Sequence, residues 1–214
     1  MTKHLSVVVL VGVLGLACNG WADTYTVSLN VKGDVYDGNI GPSPWGSVVL
    51  TLDNGKIDVT VNGNADVDIG RTSSGATNIF GFNYTGSDPL AITLPTGESH
   101  IYLSTTNTTI DQFGKFDYVL ALSTQNAHTW DPLTFTVSRQ TGSFTSVYQL
   151  LQLSTGATLQ DVDFAAQVVN CWGFVGGGTV NSPPAPEPGS LLLLGTGIVA
   201  AAFWIRRRRA WAQS

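Results

Sequence analysis

From Thr24 to Val31 apolar and polar side chains alternate strictly. Tyr25, Val27, Leu29 and Val31 fall on one side, and Thr24, Thr26, Ser28 and Asn30 on the other. A period of two predicts a strand with one buried face. Comparable runs cover 46–52, 57–61, 65–69, 79–84, 90–94, 100–104, 116–122, 133–138 and 164–169. Asp53-Asn54-Gly55, Asn62-Gly63-Asn64, the 85–89 segment and Pro95-Thr96-Gly97 separate them with turn-forming residues. A helical period is absent outside the two apolar ends of the chain, and 147–153 fits either state. Many short strands between regular turns predict an all-β domain, an antiparallel β-sandwich or jelly-roll.

One pairing follows from register. A three-residue loop at Asn62-Gly63-Asn64 sets Val61 opposite Ala65, Val59 opposite Val67 and Ile57 opposite Ile69, so the apolar face stays intact. The same register stacks Asp58 beside Asp68, and Thr60 beside Asp66, on the polar face. Like charges directly opposite cost roughly 0.2–1 kcal/mol. Solvent screening absorbs that cost in one reading. In the other, a calcium ion bridges Asp58, Asp66 and Asp68, since hard cations take several carboxylate oxygens. No EF-hand or glycine-rich calcium repeat accompanies them.

The two ends have a different character. Met1-Thr2-Lys3-His4 is a short basic stretch, and 5–17 is continuously apolar and of signal-peptide length. Gly20-Trp21-Ala22 supplies small residues for cleavage after Ala22, so residues 1–22 read as a signal helix. The alternative makes Cys18, after Gly15-Leu16-Ala17, a lipidated residue. Near the other end, 189–205 carries no charge and as a helix is about 25 Å long, enough to span a thin bilayer. Pro186 and Pro188 prevent that helix from starting earlier. Arg206, Arg207, Arg208 and Arg209 oppose translocation and keep 206–214 cytoplasmic. The predicted organisation is therefore signal peptide 1–22, ectodomain 23–175, a Gly/Pro-rich linker 176–188, a single transmembrane helix 189–205 and a basic tail.

Pro186-Glu187-Pro188, the leucine- and glycine-containing helix start at 191–197 and the arginines 206–209 together resemble the PEP-CTERM sorting signal of Gram-negative bacteria. That resemblance implies export through the Sec machinery, a membrane-anchored intermediate and processing near the motif by an exosortase, a membrane-embedded cysteine peptidase. It also implies a temporary tail and a final location at the cell surface or in the extracellular matrix. The body is similar to a β-rich ectodomain common among PEP-CTERM proteins. The likeness is carried by 44–52, 57–61, Phe80-Gly81-Phe82-Asn83, 113–118, 132–137 and 164–168. Gln167 stands where relatives often carry histidine, which argues against metal or acid–base chemistry at that position.

Composition narrows the function. Fifteen acidic residues lie between Asp23 and Glu187, against Lys32, Lys56, Arg71, Lys115 and Arg139, a net charge of −10. A phosphate backbone would be repelled, which excludes nucleic acid, whereas such a surface attracts divalent cations. Without Cys18 the remaining Cys171 has no intrachain partner; it is either a small buried residue or an intermolecular crosslink. Beyond the signal only His100 and His128 remain, with no His-Glu-x-x-His or similar zinc spacing. Nucleophile elbows and phosphate-cradling loops are missing, so no catalytic residue is assigned and no cofactor beyond the calcium alternative. Asp161 and Asp163 share one strand face and read as solvated surface. Trp45, Trp130 and Trp172 either fill the core or form a sugar-stacking platform. These features predict a non-enzymatic, structural or adhesive surface protein in an exopolysaccharide or biofilm setting. The alternatives are a carbohydrate-binding module and, third, a polysaccharide hydrolase, which needs only two carboxylates about 5–10 Å apart.

Overall fold

Asn54 and Gly55 both adopt positive φ, 48° and 76°, and so reverse the backbone in two residues, with Asp53 directly opposite Lys56. The strands they join are β2 (Gly46–Asp53) and β3 (Lys56–Gly63). The computed structural model describes residues 23–33, 42–64, 67–71, 77–123, 128–169 and 173–178, all within the compact unit Ala22–Asn181. The other strands are β1 (Thr24–Lys32), β4 (Ile69–Arg71), β5 (Asn78–Phe82), β6 (Leu90–Thr93), β7 (Ile101–Ser104), β8 (Thr108–Thr109), β9 (Lys115–Phe116), β10 (Tyr118–Leu122), β11 (His128–Trp130), β12 (Leu133–Arg139), β13 (Phe164–Val168) and β14 (Gly173–Gly177).

The domain is all-β and antiparallel. Among the described residues, twelve strands share one sheet in the order β6-β12-β3-β2-β1-β14-β13-β5-β10-β7, with β4 joined to β13 and β11 to β4; β8 and β9 form a separate ribbon. The sheet curls back on itself. Phe80 and Phe82 on β5 touch Phe135 on β12, at ring separations of 5.7 and 6.3 Å, although five strands separate β5 from β12 in the sheet. One nearly closed, barrel-like sheet thus supplies both walls of the core where two sandwich sheets would. Phe80 also stacks on Phe164 at 5.7 Å. Each fully buried side chain of this size contributes about 1.5–3 kcal/mol.

The hairpin expected around Asn62-Gly63-Asn64 does not form. β3 is flanked by β2 and β12, so Val61 faces Val48 and Leu133, Val59 faces Leu50 and Phe135, and Ile57 faces Leu52 and Val137. Asn64 stays with the β2 side, its backbone N–H donating to Trp45 O at 3.0 Å and its side chain to Pro44 O at 3.0 Å. Alternation specified which face of β3 is apolar, and several strands present a matching face. The two-residue turn at Asn54-Gly55 then selected the neighbour.

A second cluster covers the opposite face of the central strands: Ile110, Phe113, Phe116, Val119, Val162, Ala165 and Phe174. It is built from the short 3-10 turn Asp111–Phe113 and the segment around Val162. Lys115 and Thr155 exchange backbone hydrogen bonds of 2.9 and 3.3 Å, and Thr158 N–H donates to Gln112 O at 3.0 Å, tying the two segments together. They can lie close because the sheet beneath is cut low. Across it runs the row Val31–Gly176–Ala165–Gly81–Val119. A Cβ on Gly176 would come within 2.7 Å of Phe113 Cε1, and one on Gly81 within 2.9 Å of Phe116 Cγ. Covered on both sides, β13 and β14 are buried throughout. Gly176 and Gly177, expected to open a flexible linker, are strand residues paired to β1 and β13. Asn83 fastens the rim: its carbonyl oxygen accepts from Asp117 N–H at 2.6 Å, and its amide donates to Leu153 O at 3.1 Å.

Residues 147–153, ambiguous from periodicity, contain the 3-10 turn Val147–Leu150. The segments 1–22 and 179–214, with the expected signal and membrane helices, lie outside the described residues. Among the described residues no helix is long and apolar enough to cross a membrane.

If Gly176 is a packing residue, Gly176→Val forces Phe113 and Val162 off the sheet. Overpacking of this kind costs about 1–3 kcal/mol. Urea denaturation should show a lower midpoint with an unchanged slope, whereas a substitution in a free spacer would leave the midpoint in place.

Candidate functional site

Two hydrogen bonds shape the turn before β7. Glu98 N–H donates to Pro95 O and Ile101 N–H to Glu98 O, both at 3.3 Å, so Glu98 and His100 emerge together from one tight reversal. The His100 carbonyl accepts from Ser123 N–H at 2.8 Å and from the Ser123 hydroxyl at 3.0 Å, anchoring the turn to the end of β10. The chain then returns through β11, whose first residue, His128, sits opposite Arg71 of β4. Residues 28 positions apart thereby meet. The His100 and His128 ring centres are 4.5 Å apart, and the Trp130 ring lies 4.4 Å from that of His128.

Glu98 Oε2 lies 3.2 Å from His100 Nε2 and 3.6 Å from His128 Nε2. One ligand atom from each of the three residues falls within 4.8 Å of the others. The side chains are partly exposed, 21% for Glu98, 25% for His100 and 37% for His128. Yet Glu98 Oε2 and His100 Nε2 are sealed from water and have no hydrogen-bond partner among the described residues: the 3.2 Å approach lacks the alignment of an N–H donating to oxygen.

The carboxylates singled out from sequence have other surroundings. Asp58 lies between Thr51 and Thr136 and accepts from the Thr136 hydroxyl at 2.6 Å. Its expected neighbour Asp68 follows β3 without pairing to it, and Asp66 lies outside the described residues. The register argument for a shared calcium ion therefore loses its geometric basis. Asp161 is exposed and accepts from Ala157 N–H at 3.1 Å. Asp163, expected as solvated surface, is buried at 3% exposure, and its Oδ1 has no hydrogen-bond partner among the described residues. Burial pushes its carboxyl up from 3.8 to about 6. Trp130 is buried in the main core and Trp45 packs against it, while Trp172 and Cys171 lie outside the described residues. The two described tryptophans thus serve the core. Gln167, too, is buried on β13.

Sequence reasoning missed the Glu98–His100–His128 cluster because it sought zinc ligands at local spacing. The available signal was Glu98-Ser99-His100 in a turn before a strand, in a domain with only one other histidine after the signal segment.

Strand-rich ectodomain and basic, apolar C-terminus together define the class: a folded domain carrying a sorting tail. Residues 184–209 match the PEP-CTERM protein-sorting motif, and the chain is a PEP-CTERM motif-bearing protein, an exosortase-sorted protein of the cell surface or exterior. The motif implies export and a membrane-anchored intermediate handled by exosortase, itself a membrane enzyme. It includes Pro186, Glu187, Pro188 and Arg206 to Arg209. No curated protein and no solved structure matches the chain.

Asp163 gives the fold a pH dependence. Because its folded pKa is raised, the native state binds the proton more tightly than the unfolded chain, so stability is greatest below about pH 4 for this group and falls as pH rises through about 6. Asp163→Asn should stabilise the protein by about 1–2 kcal/mol at pH 8, after discounting for solvent screening. The gain should shrink to nothing near pH 4 when melting curves are compared.

Proposed function

We propose that this protein is a non-enzymatic structural or adhesive component of an extracellular matrix, delivered by its sorting tail and retained among exopolysaccharide at the cell surface. The observation that carries the reading is the motif at 184–209 behind a single all-β domain. An antiparallel sheet with a doubly covered centre suits a durable exterior module. The net charge of −10 between Asp23 and Glu187 keeps it soluble and favours contact with cations and cation-bridged polymers. Burial of Trp130, and the seat of Trp45 on the core, favour this reading over a carbohydrate-binding module.

Two measurements test it. Intact mass of protein recovered from the cell surface should show loss of both ends, whereas a variant with Pro186, Glu187 and Pro188 all changed to Ala should stay full length at its C-terminus in the membrane fraction. In affinity electrophoresis through the organism's own exopolysaccharide, any retardation should persist in Trp45→Ala. Retardation abolished by that change would transfer the protein to the carbohydrate-binding class, and polysaccharide cleavage abolished by one Asp→Asn change would make it a hydrolase.

A further inference from the structure

We infer that Glu98, His100 and His128 form a binding site for a divalent transition-metal ion of the zinc type, with one carboxylate oxygen and one nitrogen from each imidazole as ligands and a fourth position left to water. Spacing is the first support. Donors at about 2.0–2.2 Å from a tetrahedral zinc lie about 3.3–3.5 Å from each other. Glu98 Oε2 stands 3.2 Å from His100 Nε2 and 3.6 Å from His128 Nε2, which brackets that range.

The second support is independent of spacing. Glu98 Oε2 and His100 Nε2 are shut off from water and make no hydrogen bond among the described residues, and leaving buried polar atoms without partners is destabilising. A cation between them supplies the missing partner to both. The donor set decides the class of ion. Two imidazoles and one carboxylate suit zinc, copper or nickel, whereas calcium and magnesium require oxygen ligands.

The topology gives the site a consequence for the fold. Glu98 and His100 precede β7, which lies at one end of the sheet path, while His128 opens β11, which is attached through β4 to β13. A bound ion adds a tie between these two margins, which already touch through the His100 and His128 rings.

The test uses the full chain in detergent, without a histidine tag, stripped with EDTA and titrated with zinc chloride by calorimetry. One zinc per chain is expected, with a higher melting temperature on binding. Affinity should fall by more than about tenfold in His100→Ala and in His128→Ala. Glu98→Gln, nearly identical in shape, guards against a folding artefact: it should melt like the metal-free wild type yet bind zinc more weakly. Cobalt should give the intense visible bands of a four-coordinate ion in the wild type, and these should vanish in His128→Ala. The inference is overturned if the wild type takes up no zinc, if the His100/His128 double variant binds as well as the wild type, or if Asp58→Asn abolishes binding in its place.

Discussion

The architecture rests on how closely Phe113, Phe116 and Ile110 approach the sheet. Three adjacent strands place Gly176, Ala165 and Gly81 in one row, and the aromatic rings settle where larger side chains would stand. This contact allows the middle of the sheet to be buried on both faces, which an antiparallel sheet open to solvent on one side never is. The backbone of β13 and β14 then pairs with neighbouring strands and with the residues that extend them, Gly33 N–H donating to Phe174 O and Asp163 N–H to Gly177 O, both at 3.1 Å. Two apolar clusters on opposite sides of the same strands replace the single core of an ordinary sandwich.

That constraint also explains where sequence patterns succeeded. β1, β2, β3 and β12 lie where one face remains partly open, so they alternate and their positions were legible. In β13 both faces are covered, and Phe164, Ala165 and Ala166 all point into apolar surroundings; the strand expected at 164–169 was still legible, whereas β14 was not. Gly176-Gly177-Gly178 carried no apolar signal at all and resembled a spacer. Small residues serving close packing and small residues serving flexibility look alike in a sequence. The choice of strand partners was equally hidden, since Val59 and Val61 match many apolar faces and only the Asn54-Gly55 turn names a neighbour.

The candidate site was less legible than the fold. Acidic residues are abundant and drew attention to Asp58 and Asp68, but strand pairing surrounds Asp58 with threonines. The residues that do converge come from a turn and a distant short strand, and the reversals that bring them together carry no spacing rule. By contrast the sorting segment was fully readable, because its function depends on local order along the chain and not on tertiary contact.

The first strand of the domain pairs directly with the last, Leu29 opposite Gly177, near the middle of the sheet. This seam cannot form until residue 177 is available, with only a short stretch left before the motif at 184. Completion of the domain therefore depends on the stretch of chain immediately ahead of the sorting segment.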